Sequence, residues 1–200
     1  MEYLPLYVKI RGLIPQLMSN GALVDALNPR VKQIGVLAKK RNRSDAEELE
    51  MRELQFKGSL YLYDEEKSRT PFWPGDNLKA MIKTAAKTQK KGTTVESALL
   101  CDDGRLIYDG PKDADGLWKD ERFRHLKRTK RGVMACRPQF RAWEVEFMIR
   151  YMEGTFEVRD IEQFLSYSGR YIGLSAWIRR YGLFEVVETR KEERDVDPAS

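Results

Sequence analysis

The residue types that most often carry out chemistry are scarce in this 200-residue chain. Its only histidine, His125, lies in Arg122-Phe-Arg-His-Leu-Lys-Arg128, where neighbouring cations oppose the imidazolium that a general base must become. A Ser-His-Asp arrangement would have to use it. Cys101 and Cys136 are isolated from one another, and there is no CxxC. That pattern makes neither a disulfide framework nor a structural zinc site, and it reads as a reducing cytoplasm with the thiols as small hydrophobes. Gly-Lys-Ser/Thr is absent, as is GxGxxG behind a strand, so neither phosphate loop is present. The sequence implies no cofactor and no metal.

What the chain does carry is cations interleaved with aromatics. Net charge is only +5, yet the sign is segregated. Asn28–Arg43, Asn77–Lys91 and Lys119–Arg141 together hold 20 of the 36 Lys and Arg but 2 of the 31 Asp and Glu. Such segregation is the electrostatic footprint of a polyanion binder, because each cation that meets a phosphate releases condensed counterions. Lys79, Lys83, Lys87 and Lys91 recur every four residues, a spacing at which like charges on a helix repel. An anion alongside would relieve that repulsion. A membrane surface is a poorer match, since the basic helix has only a narrow apolar face.

Two stretches are more specific. In Phe72-Trp73-Pro74-Gly75-Asp76-Asn77-Leu78-Lys79, Pro-Gly makes a tight turn and Asp76 or Asn77 is placed to cap the following helix, whose N-terminus suits a phosphate. The second runs from Gly169 through Gly173, Trp177, Arg179, Arg180, Tyr181 and Gly182 to Phe184. There glycine permits close backbone approach, arginine offers a fork to phosphate, and Trp177 and Tyr181 offer stacking faces.

The elements that must position these residues follow from periodicity. Tyr3–Arg11 alternates as a strand. Asn28-Pro29 opens a helix, and Ser44 with Glu47 forms a capping box for another that ends near Leu54. Phe56–Tyr63 reads as a second strand, and Asn77–Lys91 as a helix with Leu78, Met81, Ile82 and Ala85 inward. Val95–Cys101 and Arg105–Tyr108 read as strands around an Asp103-Gly104 turn, and Asp109–Trp118 as loop. Lys119–Arg131 reads as too basic to fold on itself. Gly132–Phe140 and Ala142–Met152 read as a hairpin, Arg159–Ser168 as a helix with Gly169 as its C-cap, and Tyr181–Glu188 as the last strand. No apolar run reaches the roughly 18 residues of a membrane span, and the acidic N-terminus lacks the basic region of a secretory signal. The pattern predicts one α+β domain over residues 1–190 with a charged tail over 191–200. Its expected core is ferredoxin-like (RRM-like), βαββαβ, with large insertions.

Together the two motifs and the element order resemble the RAMP superfamily, the ferredoxin-like RNA-binding subunits of CRISPR effector complexes. Pro74, Gly75, Leu78 and Lys79 fit a Pro-Gly-Ser-Ser-Leu-Lys-Gly-type stretch, with Asp76, Asn77 and Ala80 in place of the two serines and the last glycine. The second motif stands where the family has a glycine-rich loop. The style is also similar to that of small phage proteins, so a solitary phage-encoded member is one form the resemblance takes. The resemblance implies single-stranded RNA held by its backbone along the sheet and the basic helix, with copies stacking head to tail. Some members cut RNA with an acidic residue after the first strand, a place where Asp25 stands.

The reading is a non-enzymatic binder of single-stranded RNA or DNA, cytoplasmic, self-associating or within a multisubunit ribonucleoprotein, and apart from membranes. Lys79, Lys83, Lys87, Arg122, Lys127, Arg128, Lys130, Arg131, Arg179 and Arg180 are its expected phosphate contacts. Trp73, Phe123, Trp143, Trp177 and Tyr181 are its stacking candidates. The alternatives are a phage-encoded protein that inhibits or mimics a CRISPR complex, and a metal-dependent endoribonuclease that uses Asp25.

Overall fold

Capping signals and apolar spacing set the elements of the chain. The computed structural model describes residues 2–63, 70–128, 134–177 and 180–191. In chain order these form β1 (Tyr3–Gly12), β2 (Gln16–Leu17), a 3₁₀ turn (Gly21–Val24), α1 (Pro29–Lys39), α2 (Asp45–Ser59), β3 (Phe72–Trp73), α3 (Gly75–Ala86), α4 (Gly92–Ala98), β4 (Leu99–Cys101) and β5 (Gly104–Ile107). There follow α5 (Ala114–Lys119), β6 (Arg124–Arg128), β7 (Met134–Phe140), β8 (Glu144–Met152), α6 (Val158–Tyr167), a π turn (Ser168–Ile172) and β9 (Phe184–Lys191).

The helix starts lie where the residues place them. Asn28 Oδ1 accepts from the Arg30 N–H at 3.0 Å with Pro29 at the first helical position. Ser44 and Glu47 complete a reciprocal capping box. Helix α2 then continues to Ser59, through the stretch expected to begin a strand at Phe56. A capped helix rich in Glu, Leu, Met and Arg propagates at one bond per residue, and the β-prone run starts only at Leu60. Leu62 makes an isolated bridge with Pro71 rather than a strand.

Contacts divide the chain into two compact units. The first comprises Met1–Pro15, Phe72–Tyr108 and Ala142–Ser200. Its antiparallel sheet has the order β3-β5-β8-β1-β9, with β4 also paired to β8. Registers Leu6↔Ile149, Val8↔Phe147 and Ile10↔Val145 align side chains that are all buried. From α3, Leu78, Met81, Ile82 and Ala85 are buried, as are Ile161, Phe164 and Leu165 from α6. The Val95–Cys101 stretch divides into α4 and β4. β4 and β5 form no hairpin about Asp103-Gly104. Both run antiparallel to β8, as one strand interrupted at Asp102 and Asp103. The interruption frees the Asp103 carboxylate, which accepts the Gly75 N–H at 2.8 Å and starts α3.

The second unit, Gln16–Pro71 and Asp109–Arg141, holds the sheet β2-β7-β6 and helices α1, α2 and α5. Here Ala114–Lys119 is helical instead of loop, because Asp113 Oδ1 caps it through the Gly116 N–H at 2.8 Å. The basic stretch also folds: β6 pairs with β7, His125 opposite Arg137. Backbone pairing needs no charge balance, and Asp120 and Glu121 take up Arg122 and Arg124. β7 and β8 lie in different sheets and form no hairpin. Trp143, between them, turns inward with its Nε1–H on the Ile14 carbonyl at 3.0 Å. Gly12 leaves room for that indole, since a Cβ there would come 2.1 Å from Nε1. Among the described residues no helix is long and apolar enough to cross a membrane.

Candidate nucleic-acid interface

The two motifs singled out in the sequence become the walls of one groove in the first unit. Its volume is about 240 Å³; α3 contributes Asn77, Ala80 and Thr84, and the segment after α6 contributes Ile172, Gly173 and Ser175. The π turn ends on Gly173, whose N–H reaches back to the Ser168 carbonyl at 2.8 Å, so Gly173 rather than Gly169 is the cap. Gly169 instead lies against β9, where a Cβ would come 2.2 Å from the Phe184 carbonyl oxygen.

From Gly173 the chain loops out and is pinned at its base. Leu174 N–H donates to the Gly182 carbonyl, and Gly182 N–H to that of Pro15, both at 2.8 Å. Gly173 and Gly182 have φ of +83° and +75°, the left-handed region open to glycine. A Cβ on Gly182 would come 2.3 Å from the Leu174 oxygen. Beyond this base stand Trp177 and Tyr181, half-buried, with ring centroids 6.2 Å apart. Arg180 beside them is exposed.

Helix α3 ends at Ala86 and not at the expected Lys91, a 3₁₀ turn and a left-handed Lys90 (φ +60°) closing it, so Lys79 and Lys83 stand on α3, Lys87 caps it and Lys91 opens α4. Lys79 Nζ donates to the Glu96 carbonyl at 2.8 Å, and Lys83 Nζ pairs with the Glu96 carboxylate at 2.8 Å. Lys91 pairs with Asp160 at 2.9 Å. Lys79, Lys83 and Lys87 step round by about 40° at 3.6 residues per turn, so Glu96 on α4 meets the first through its carbonyl and the second through its carboxylate, and not the third. Lys87 is exposed, its stem beside Gly92, and among the described residues it has no ion-pair partner. Two of the four lysines, Lys83 and Lys91, are therefore neutralised by carboxylates within the protein, while Lys79 meets only a backbone carbonyl. The N–H groups opening α3 are also partly spoken for, by Asp103 instead of the expected Asp76 or Asn77.

In the second unit, Arg122 grips Asp120 through both carboxylate oxygens, at 3.0 and 2.6 Å, and lies 5.8 Å from the Phe123 ring. That guanidinium holds the Asp120 carboxyl below its ordinary range. Lys127 is half-exposed on β6. Arg128 ends the same strand, its side chain outside the described residues, as are Lys130, Arg131 and Arg179 altogether. Burial, then the Lys127 charge, holds His125 below its ordinary value, which keeps the imidazole neutral.

Three of the five stacking candidates are core residues. Trp73 and Trp143 are 3% exposed and Phe123 6%, so their faces are covered by protein. Trp143 packs edge-on against Phe184, and Phe123 against Phe140. Trp177 and Tyr181 remain. Asp25 caps its own loop, its Oδ1 accepting the Leu27 N–H at 2.8 Å. Among the described residues no group of three or more His, Cys, Asp or Glu is placed to hold a metal ion.

The sheet face opposite the core carries carboxylates. Glu144 and Glu146 hold Lys9 at 2.9 and 3.2 Å, and Glu144 holds Arg11 at 2.7 Å. Cations and acids are interleaved on that face, and these four charges pair with one another. Sequence reasoning also passed over Arg159, Gln163, Tyr167 and Tyr171. Their every-four spacing was the available signal, since it places them on the side of α6 away from Ile161 and Leu165.

No protein-family profile matches this chain, and no curated protein matches it. Among solved structures it is similar to a chain in a cryo-EM structure of the type III-B Cmr-beta bound to cognate target RNA. Identity is 14% and the TM-score 0.47, over 94% of this chain and 60% of that one. The chain thus spans about 60% of the length of that structural relative.

Proposed function

We propose that this α+β protein binds single-stranded nucleic acid, RNA in preference to DNA, by its backbone and without cleaving it. The binding surface is the groove between α3 and the Gly173–Gly182 loop, with Lys87 and Arg180 as phosphate contacts and Trp177 and Tyr181 as stacking faces. One observation carries the reading: two motifs distant in sequence fold into the walls of a single groove whose loop is pinned by glycines. Hydrogen bonds at the base of the loop lower the entropic cost of presenting aromatic faces, and stacking on them tolerates any base.

A ferredoxin-like core of the RAMP kind belongs to the same reading. Its support is the sheet order, in which β1 lies between β8 and β9 and the β4–β5 strand flanks β8, with α3 and α6 as the intervening helices. That is the order of a split βαβ pair. Pro74-Gly75 at the start of α3 and the glycine loop between α6 and β9 supply the rest.

The test is fluorescence anisotropy with a labelled single-stranded RNA 20-mer, and the DNA equivalent, at two salt concentrations. Saturable binding that weakens steeply with salt is expected. Lys87→Glu with Arg180→Glu should flatten the dependence of log K on log salt by at least about 1.4, at roughly 0.7 per phosphate contact on a single strand. No saturable binding of either strand at low salt overturns the reading.

A further inference from the structure

The outer side of α6 and the π turn after it form a second surface that the groove does not use. Arg159, Gln163 and Tyr167 follow one another at four-residue intervals, and the turn adds Arg170 and Tyr171. Tyr171 is 57% exposed and Tyr167 38%, with ring centroids 4.8 Å apart and planes tilted by 46°. An open depression of about 370 Å³ runs along these rings, with Gln89 contributing from the 3₁₀ turn that follows α3. Helical turns containing a π bulge recur at functional sites, and this one carries both Arg170 and Tyr171.

Two cations, Arg159 and Arg170, and one carboxylate, Glu162, line the depression. Among the described residues neither Arg159 nor Arg170 has an ion-pair partner. The carboxylate in the lining, Glu162, accepts a hydrogen bond from Thr189 Oγ1 at 2.5 Å. Asp160, nearby on α6, is held by Lys91 at 2.9 Å. Arg159 and Arg170 are eleven positions apart in sequence, about 16 Å along a helix at 1.5 Å per residue. Arg159 stands about two helical turns before Tyr167 and Arg170 directly before Tyr171, so the two would meet different phosphates of one strand.

We infer that this surface seats one unstacked nucleobase of a single strand, its face on Tyr167 and Tyr171 and its flanking phosphates on Arg159 and Arg170. The chemistry is complementary at each point. Tyrosine rings offer a π-face to any base. Guanidinium forks match phosphate oxygens. The Gln89 and Gln163 amides and the Ser166 hydroxyl each donate and accept, which suits the edge of a base. A base within a duplex has both faces covered and cannot take the seat. The inference rests on the reading that the chain binds single-stranded nucleic acid, and it adds a contact outside the groove.

The test separates the two. Binding of a fluorescein-labelled oligouridine RNA is measured for the wild type, for Tyr167→Ala with Tyr171→Ala, for Tyr171→Phe, and for Arg159→Gln with Arg170→Gln. All these positions are exposed, and urea midpoints verify folding. The double alanine variant should bind about tenfold more weakly with an unchanged salt slope, as expected for lost stacking. Tyr171→Phe should bind like the wild type. The double glutamine variant should lower the salt slope by about 1.4. A 5-iodouridine version of the strand should crosslink to Tyr167 or Tyr171. If the wild type binds while the double alanine variant keeps full affinity, or if crosslinks map only elsewhere, the seat is refuted and the groove reading stands. If the wild type binds no single strand, both fall.

Discussion

The Lys83 ammonium lies 2.8 Å from the Glu96 carboxylate, across the gap between α3 and α4. Lys79 reaches the backbone carbonyl of that same residue. Glu96 is therefore the residue that decides how much of the lysine stripe is offered to an outside anion. The Lys83 contact holds the Glu96 carboxyl below its ordinary range, so it remains a carboxylate at any physiological pH. The four-residue repeat that looked like an unrelieved row of charge is relieved in part, at Lys83 by Glu96, which lies in a segment whose helical form the periodicity did not reveal, and at Lys91 by Asp160.

Glu96→Gln should release Lys83 while leaving the Glu96 carbonyl, and with it Lys79, in place. Affinity for single-stranded RNA should rise at low salt, and the salt slope should steepen by about 0.7, one added phosphate contact. Anisotropy titrations at three salt concentrations measure this. An unchanged slope would mean that nucleic acid does not approach α3 from the α4 side.

Gly182 and Gly154 share a φ of +75° but differ in surroundings. A Cβ on Gly154 meets nothing within 4 Å, whereas on Gly182 it comes 2.3 Å from the Leu174 oxygen. Gly154→Ala should cost only the left-handed strain, about 1 kcal/mol. Gly182→Ala should cost roughly 3 kcal/mol or more, because backbone must move as well. It should also weaken RNA binding by loosening the base of the loop. Urea unfolding of the two variants measures the difference, and equal costs would show that the Leu174–Gly182 clasp yields easily.

Asp160 has two partners, the Lys91 ammonium at 2.9 Å and the Glu157 N–H at 3.2 Å. The Lys91 bond foremost lowers its carboxyl below the ordinary value. A carboxylate favoured in the folded state stabilises above the unfolded value, near 3.9, and that contribution disappears as pH falls through the folded value. Asp160→Asn should therefore destabilise by about 0.5–1 kcal/mol at neutral pH, given a partly exposed pair. The difference from wild type should shrink below about pH 4. Urea midpoints near neutrality and in acid give the comparison; a gap that persists in acid would assign the effect to lost helix capping.

The parts of the fold that were legible are those written in local chemistry. Asn28-Pro29, the Ser44/Glu47 box and the alternation of β1 and β8 each declare themselves within a few residues. The illegible parts depend on partners distant in sequence. Whether Val95–Ala98 is strand or helix is a matter of what α3 packs against it. β6 is a strand because β7 offers it an edge. The site divides the same way: the glycine loop was legible as a motif, whereas three of the five aromatics assigned to stacking are core residues. An aromatic in a basic sequence looks the same whether its ring faces solvent or, like Phe123, the protein interior. Tyr167 was passed over because nothing basic adjoins it in sequence, and Tyr171, beside Arg170, because Trp177 and Tyr181 in the same motif drew the stacking assignment. Arg159 and Arg170 reach the surface of Tyr167 only through helical geometry.

Cys136 offers a test of the interior that is independent of nucleic acid. It is 1% exposed on β7, and burial pushes its thiol up to about 11. Burial also pushes the Cys101 thiol up. The thiolate is the reactive species. At pH 8 a thiol titrating near 11 is ionised in about one molecule in a thousand, against roughly a quarter for an ordinary cysteine. Ellman's reagent should therefore modify neither cysteine of the folded protein promptly, and both at once in urea. The same shift sets a sign for stability. The neutral thiol is favoured in the folded state, so the contribution is intact below the unfolded value of about 8.5 and is lost as pH rises from there towards 11. Cys136→Ala should flatten that alkaline decline in the urea midpoint. Prompt modification of Cys136 in buffer, mapped by mass spectrometry, would show that β7, and the pairing that folds the basic β6 strand, opens far more readily than a packed sheet should.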